Sequence, residues 1–537
     1  MRYLPKVLLF LLAALLVVQA AFSLQWPIAH DEAPLFYEAF LMQSERRIPY
    51  RDIFDFQMPG SYIAYYLLGS LSGFNALRIR ILDILLLAAL IFITYRFMRR
   101  FGKTPAWAAG ILFGLKYLQG GPSISLQREY LLLIFLALSL LVGMRDSLTP
   151  RHRLSLGILF GLAAVIKPHA ALGLLPFLLF DIADISKRLN ISLLNAAIKS
   201  ILPAAIGLTI PIAIVIAWLA FNHALTPFLN IAANYWPLYS QINGQMEITP
   251  QAQRISFLLN QVWRLGGSGL WLIPAIIGVY LHQNKQTCLL ASLALCYAIY
   301  PALSGQFFPY HYIPFIYFII LLAALCLSTF NPSTGFRQAQ PTSSGRRLQP
   351  STLRQPFDRL RITAQGNAFN FQLSTFNLSL LTLILFIVIL FSVRPSAAFI
   401  RQISRQPVVT STDRADEIAR FLEKNLEAGD TVQPLDWTGG TLLAMLETRA
   451  RLATPYIFDF YFYHHVSTPY IQSLRADFMD ELQKSSPHFI LEVTAIDKPW
   501  ITGQDTSREF PELRAFLDAN YSVTIQKADY VIYERHK

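Results

Sequence analysis

Residues 30–73 read HDEAPLFYEAFLMQSERRIPYRDIFDFQMPGSYIAYYLLGSLSG and lie directly behind the first apolar run of the chain. The stretch sets adjacent carboxylates, Asp31 and Glu32, within a few residues of where a membrane helix has to end, and an idle charge is costly there. The aromatic-rich segments that follow are too broken by polar residues to span a bilayer. They suit short interfacial helices roofing a water-filled site, so the stretch reads as a catalytic loop.

Composition sets the frame around this loop. The 537 residues are 54% hydrophobic and only 15% charged, and the mean hydropathy is +0.41, outside the range of a soluble globular protein. The net charge of +12 does not mark a nucleic-acid binder. Lys and Arg fall mainly in short links between apolar runs, as the positive-inside rule requires of a polytopic membrane protein. Cys288, Cys296 and Cys326 all lie in apolar runs and imply neither a disulfide framework nor a zinc site.

The segment 7–24 follows Arg2 and Lys6 and reads as an uncleaved signal anchor, which leaves the 30–73 loop on the outer side. Further spans are expected near 79–95, 106–118, 130–143, 201–221, 269–281, 289–303, 313–327 and 378–393. Residues 154–182 add a helical hairpin broken at Lys167-Pro168-His169, because proline removes an amide donor. The total is about eleven spans. Basic links (Arg96, Arg99, Arg100 and Lys103; Arg145, Arg151 and Arg153) alternate with the Gly-rich QGGPSISLQRE. The long 222–266 link, with its amphipathic ISFLLNQVW, falls on the outer side. An odd number of spans puts the C-terminal residues on the same side as Asp31 and Glu32.

Four regions follow: a transmembrane catalytic domain over 1–330, a polar and basic segment over 331–377, a last span over 378–394, and an extracytoplasmic α/β domain over 395–537. The second is flanked by a repeated LSTFN, at 327–331 and 373–377, and reads as an inserted, disordered cytoplasmic element without chemistry. The tail alternates helices, over Asp413 to Asn425 and Tyr470 to Lys484, with the strands TVQPLDW and HFILEV, and ends in a hairpin, YSVTIQKA and YVIYER. The aromatic run Tyr456 to Tyr463 reads as a buried strand.

A carboxylate at an aqueous face near a hydroxyl can accept its proton as a bond forms, which makes Asp31 and Glu32 the catalytic candidates. Asp31 also suits the N-cap of the helix starting near Ala33, with Glu32 complementing the helix dipole. Asp52 and Asp55 read as solvated loop acids. Arg128, Lys167 and His311 each stand at an expected outer helix end, where three cations could neutralise a phosphate. Taken singly they read as snorkelling or interfacial residues, Arg128 paired with Glu129. Arg78 and Arg80 read as span flanks. His30 beside Asp31 leaves room for a divalent cation, although one histidine is weak support and no metal-ligand set is assigned.

The His30-Asp31-Glu32 loop, Pro49-Tyr50-Arg51-Asp52 and Gln57-Met58-Pro59-Gly60 together resemble the first outer loop of the GT-C membrane glycosyltransferases, in the bacterial branch related to protein mannosyltransferases and aminoarabinose transferases. GLAAVIKPHAALGLLPFLL is similar to that family's glycine-rich span with its lysine and proline, and Phe308-Pro309-Tyr310-His311-Tyr312 to its late His-Tyr element. The resemblance implies a polyprenyl-phosphate-sugar donor, Asp31 as the base toward an acceptor hydroxyl on a lipid, glycan or protein, and transfer with inversion at the outer face of the cytoplasmic membrane among membrane lipids. It adds Arg51 and Gln57 to the substrate- and phosphate-binding set; where that family carries a basic residue before paired prolines, this chain has Gln57. The competing classes are a lipid-linked sugar flippase, which calls for inverted repeats and mid-span charges, and a non-catalytic envelope assembly protein.

Overall fold

The computed structural model describes residues 4–327, 387–389, 392, 394–404, 411–496 and 498–536. The 331–377 segment and most of the expected 378–393 span lie outside these residues. The protein is a helical membrane protein with a small α/β domain at its C-terminal end. Among the described residues five helices are long and apolar enough to cross a bilayer: Lys6–Ser23, Pro168–Leu189, Leu193–Phe221, Lys285–Ser304 and Pro309–Leu327. A sixth forms if Arg254–Gly267 and Gly269–Leu281, bent by 67°, count as one. The Ala76–Met98 helix is 23 residues long, but Arg78, Arg80 and Asp83 leave it apolar only beyond its first two turns.

The break expected at Lys167 is present. The Pro150–Ile166 helix stops there, Lys167 is extended with φ −147° and ψ 112°, and a 3₁₀ turn over Pro168–Gly173 leads into the Leu174–Leu189 helix. Proline disfavours the helical conformation at the residue before it, and Lys167 leaves the helix axis here. The Pro150–Ile166 helix also lies backbone to backbone on Leu193–Phe221. A Cβ on Gly157 would stand 2.0 Å from the Ala204 carbonyl oxygen, and one on Gly207 would stand 2.1 Å from that of Leu154. Small residues permit this close approach, which replaces the hydrophobic effect as the source of helix association in lipid.

In the first loop, the helix Glu32–Ser44 is not an exposed amphipathic roof, whereas Pro59–Ser72 keeps an exposed face at Leu67 and Leu71. Glu32 through Ala39 are all buried, because the C-terminal domain covers the side that the bundle leaves open. The Thr441–Thr448 helix packs on Glu32–Ser44, and the Tyr37 hydroxyl donates to the Ala450 carbonyl at 2.7 Å.

The C-terminal domain holds strands β1 (Thr431–Leu435), β2 (Arg451–Leu452), β3 (Phe489–Val493), β4 (Tyr521–Gln526) and β5 (Tyr530–Arg535) in the order β2-β1-β3-β5-β4. β1 runs parallel to β2 and β3, and β5 closes the sheet antiparallel to β3 and β4. Residues 456–463 are buried but form no strand. They make one bridge, Phe54 to Tyr456, and a 3₁₀ turn at Phe460–Phe462. Aromatic rings from both directions explain this: Phe56 and Tyr235 of the membrane part meet Tyr461, while Phe478 and Phe510 meet Phe462.

Candidate active site

Asp31 follows His30, whose φ of 53° puts a left-handed residue just ahead of the Glu32–Ser44 helix. Asp31 occupies the N-cap position, but its side chain makes no capping bond. Oδ2 instead accepts from Arg128 Nη2 at 2.7 Å, and Oδ1 lies 2.9 Å from His30 Nδ1. Burial alone would raise the Asp31 carboxyl. The charges of His30 and Arg128, with the His30 hydrogen bond, outweigh it and hold the group well below the usual carboxylate range.

Glu32 points the other way. It is fully buried, and its oxygens accept from Arg80 Nη1 at 2.7 Å and Nη2 at 2.5 Å. Arg80 is equally buried and donates also to the Trp26 and Pro27 carbonyls and to Ser125 Oγ. This arginine, read above as a span flank, is therefore the partner of Glu32. The sequence signal for it was Arg80 and Asp83 within an otherwise apolar helix, since charges at membrane depth pair with one another.

Arg128 donates to both Asp31 and Gln57 Oε1 and lies over the Tyr310 ring. The adjacent Glu129 faces elsewhere, as neighbours on a helix do, so the expected Arg128–Glu129 pair is absent. Glu129 stands 3.4 Å from Lys167 Nζ and 3.5 Å from His311 Nε2, and among the described residues its Oε2 has no hydrogen-bond partner. Burial would raise this carboxyl, but Lys167, His311 and Arg128 together leave it lowered. His311 Nδ1 donates to the Gln306 carbonyl at 2.6 Å, which directs Nε2 toward Glu129.

Gln57, Arg128, Glu129, Lys167 and His311 line one cavity of about 380 Å³, with His169, Tyr239 and Tyr310 completing its polar wall. The structure thus brings together four of the residues singled out in the sequence, with Asp31 one contact behind the wall through Arg128. Glu32 lies behind the loop. Arg51 is not among the residues lining the cavity; it is exposed and paired with Asp52 at 2.7 Å. Asp55, expected to be solvated, is buried and accepts from Tyr62 at 2.7 Å and Tyr461 at 3.3 Å. It neighbours Glu38, whose carboxyl is raised by burial and by Asp55.

A divalent cation needs several free oxygen or imidazole ligands. Among the described residues no group of three His, Cys, Asp or Glu side chains is placed to hold one. Asp31 and Glu129 already face cations, so the residues present do not fit a metal. The cavity suits an anion at the end of an apolar bundle, and a phosphate is the natural class.

Residues 59–221 match the family model of dolichyl-phosphate-mannose-protein mannosyltransferases. The fold matches the crystal structure of ArnT from Cupriavidus metallidurans bound to undecaprenyl phosphate, at 12% identity and a TM-score of 0.58, over 98% of this chain and 97% of that one. The apo ArnT structure from the same organism gives 13% identity and a TM-score of 0.53, over 98% of each chain. A search of the curated proteins returns no sequence match. The mannosyltransferase family match thus lies inside a fold that the chain shares with ArnT over nearly its whole length.

Proposed function

We propose that the protein transfers a sugar from a polyprenyl-phosphate donor to an acceptor hydroxyl of a lipid, glycan or protein, at the outer face of the cytoplasmic membrane, with inversion. The observation that carries this reading is the convergence of Arg128, Lys167 and His311 on one cavity, with an ionised Asp31 held at Arg128. Asp31 takes the hydroxyl proton as the acceptor oxygen attacks the anomeric carbon from the face opposite the phosphate. The bond from that carbon to the phosphate oxygen breaks, and its electron pair leaves with the phosphate. Lys167 and Arg128 neutralise the departing charge, and Gln57 orients Arg128. As phosphate draws on Arg128, the arginine's hold on Asp31 loosens, which frees the base when the donor is bound.

The apolar end of such a donor has a place. A groove of about 580 Å³, lined by Leu272, Ile276, Leu295 and Ile319, runs along the Lys285–Ser304 helix. Tyr300, Leu303 and Ser304 of the same helix line the polar cavity. On this reading residues 1–330 form the catalytic domain, and the domain over 395–537 roofs it.

The test uses the full-length protein in lipid nanodiscs with radiolabelled polyprenyl-phosphate sugars. Asp31→Asn should lower transfer about a hundredfold or more, the range of a general base. Transfer at the wild-type rate would remove Asp31 from that role. A reporter fused within residues 30–73 that stays cytosolic would overturn the assigned face.

A further inference from the structure

A second cavity of about 260 Å³ lies on the far side of the Pro309–Tyr312 turn from the first: Pro309 lines this one, whereas Tyr310 and His311 line the other. Its polar end is formed by Lys116, Gln119 and Ser268, and its apolar end by Phe113, Ile313 and Ile316. Lys116 stands one turn from the end of the Lys103–Gln119 helix. It is half-buried, and it does not extend into water as lysines at helix ends ordinarily do. Nζ donates to Gln119 Oε1 at 3.0 Å and reaches the Ser392 carbonyl at 3.4 Å, both neutral acceptors. Arg394 is close enough to repel it. Among the described residues no carboxylate pairs with either cation. In the first cavity, by contrast, Arg128 and Lys167 each face a carboxylate of the protein.

A partly desolvated ammonium without a counter-charge among the described residues, beside a second cation, calls for an anion. The apolar side chains that continue from it along the Lys103–Gln119 helix and the Pro309–Leu327 span call for a chain attached to that anion. We propose that this cavity binds an anionic membrane lipid, with the headgroup phosphate on Lys116 and its neighbour Arg394 and the upper acyl chain against Phe113, Ile313 and Ile316. The site is separate from the transfer cavity and takes its ligand whether or not a donor is bound.

The test is lipid retention by the purified full-length protein, read by native mass spectrometry after equilibration with phosphatidylglycerol or with phosphatidylcholine. The wild type should hold one phosphatidylglycerol per chain in preference to phosphatidylcholine. Lys116→Glu should weaken that retention about tenfold or more, the scale of a charge-assisted hydrogen bond. Ile316→Trp, which fills the cavity without touching charge, should weaken it as well, and Lys167→Ala in the other cavity should leave it unchanged. Equal retention of the two lipids, or equal retention of phosphatidylglycerol by the wild type and Lys116→Glu, would overturn the proposal. So would loss in Lys167→Ala alone, or displacement of the lipid by millimolar inorganic phosphate, which would mark a site for the free anion.

Discussion

Replacing Glu32 by Gln separates two roles for that carboxylate, an anchor for the loop or a group that acts on substrate. Both of its oxygens accept from Arg80, and both side chains are fully buried. Gln keeps the shape and strips the charge. The guanidinium is then left among the Trp26 and Pro27 carbonyls and the Ser125 hydroxyl, with Asp83 the nearest remaining acid, one hydroxyl away through Ser125. Breaking one side of a buried ion pair costs about 3–5 kcal/mol. Because Gln retains one acceptor, about 3 kcal/mol is expected, a change on the order of a hundredfold in the ratio of folded to unfolded protein. Arg80→Met should cost at least as much. The double variant Glu32→Leu with Arg80→Met removes both charges and should fall short of the summed losses by about 2 kcal/mol. The assay is denaturant unfolding of the purified protein in mixed micelles, with sugar transfer measured alongside under conditions where every variant is folded. If Glu32→Gln unfolds like the wild type while transfer collapses, Glu32 works on substrate and the anchor reading fails.

Lys167→Ala takes one cation from the transfer cavity and should lower kcat/KM for the lipid-phosphate donor about tenfold to a hundredfold; unchanged steady-state kinetics would show that the leaving group is held elsewhere. Glu38→Gln has a pH signature. The Glu38 carboxyl is raised in the folded state, so its stabilising effect is complete below the ordinary carboxylate value and is lost as pH rises through the folded value. The wild type should therefore lose up to about 1.4 kcal/mol per pH unit across that window, and Glu38→Gln should flatten the fall. Parallel Tm profiles from pH 4 to pH 9 would refute this. Gly157→Val drives a side chain into the Ala204 carbonyl and should cost about 3 kcal/mol or more, read as lost monodisperse protein on size exclusion; wild-type yield and Tm would contradict the close helix packing.

What the sequence alone determined is what neighbouring residues control. The helix break at Lys167-Pro168, the closing hairpin of β4 and β5 and the cationic character of the loop ends all depend on a few adjacent side chains, and they stand in the structure. Pairing between distant segments was not legible. Asp31 meets Arg128 across 97 positions and Glu32 meets Arg80 across 48, yet the two acids are adjacent and read alike in one dimension. Only the packed bundle sends one toward the cavity wall and the other into the core. The same holds for Asp55, an ordinary loop acid until Tyr461 of the C-terminal domain covers it, and for residues 456–463, whose rings are buried from two sides by elements far away in the chain. Charge and hydropathy say that a residue needs a partner; the crossing of helices and the docking of the second domain decide which partner is within reach.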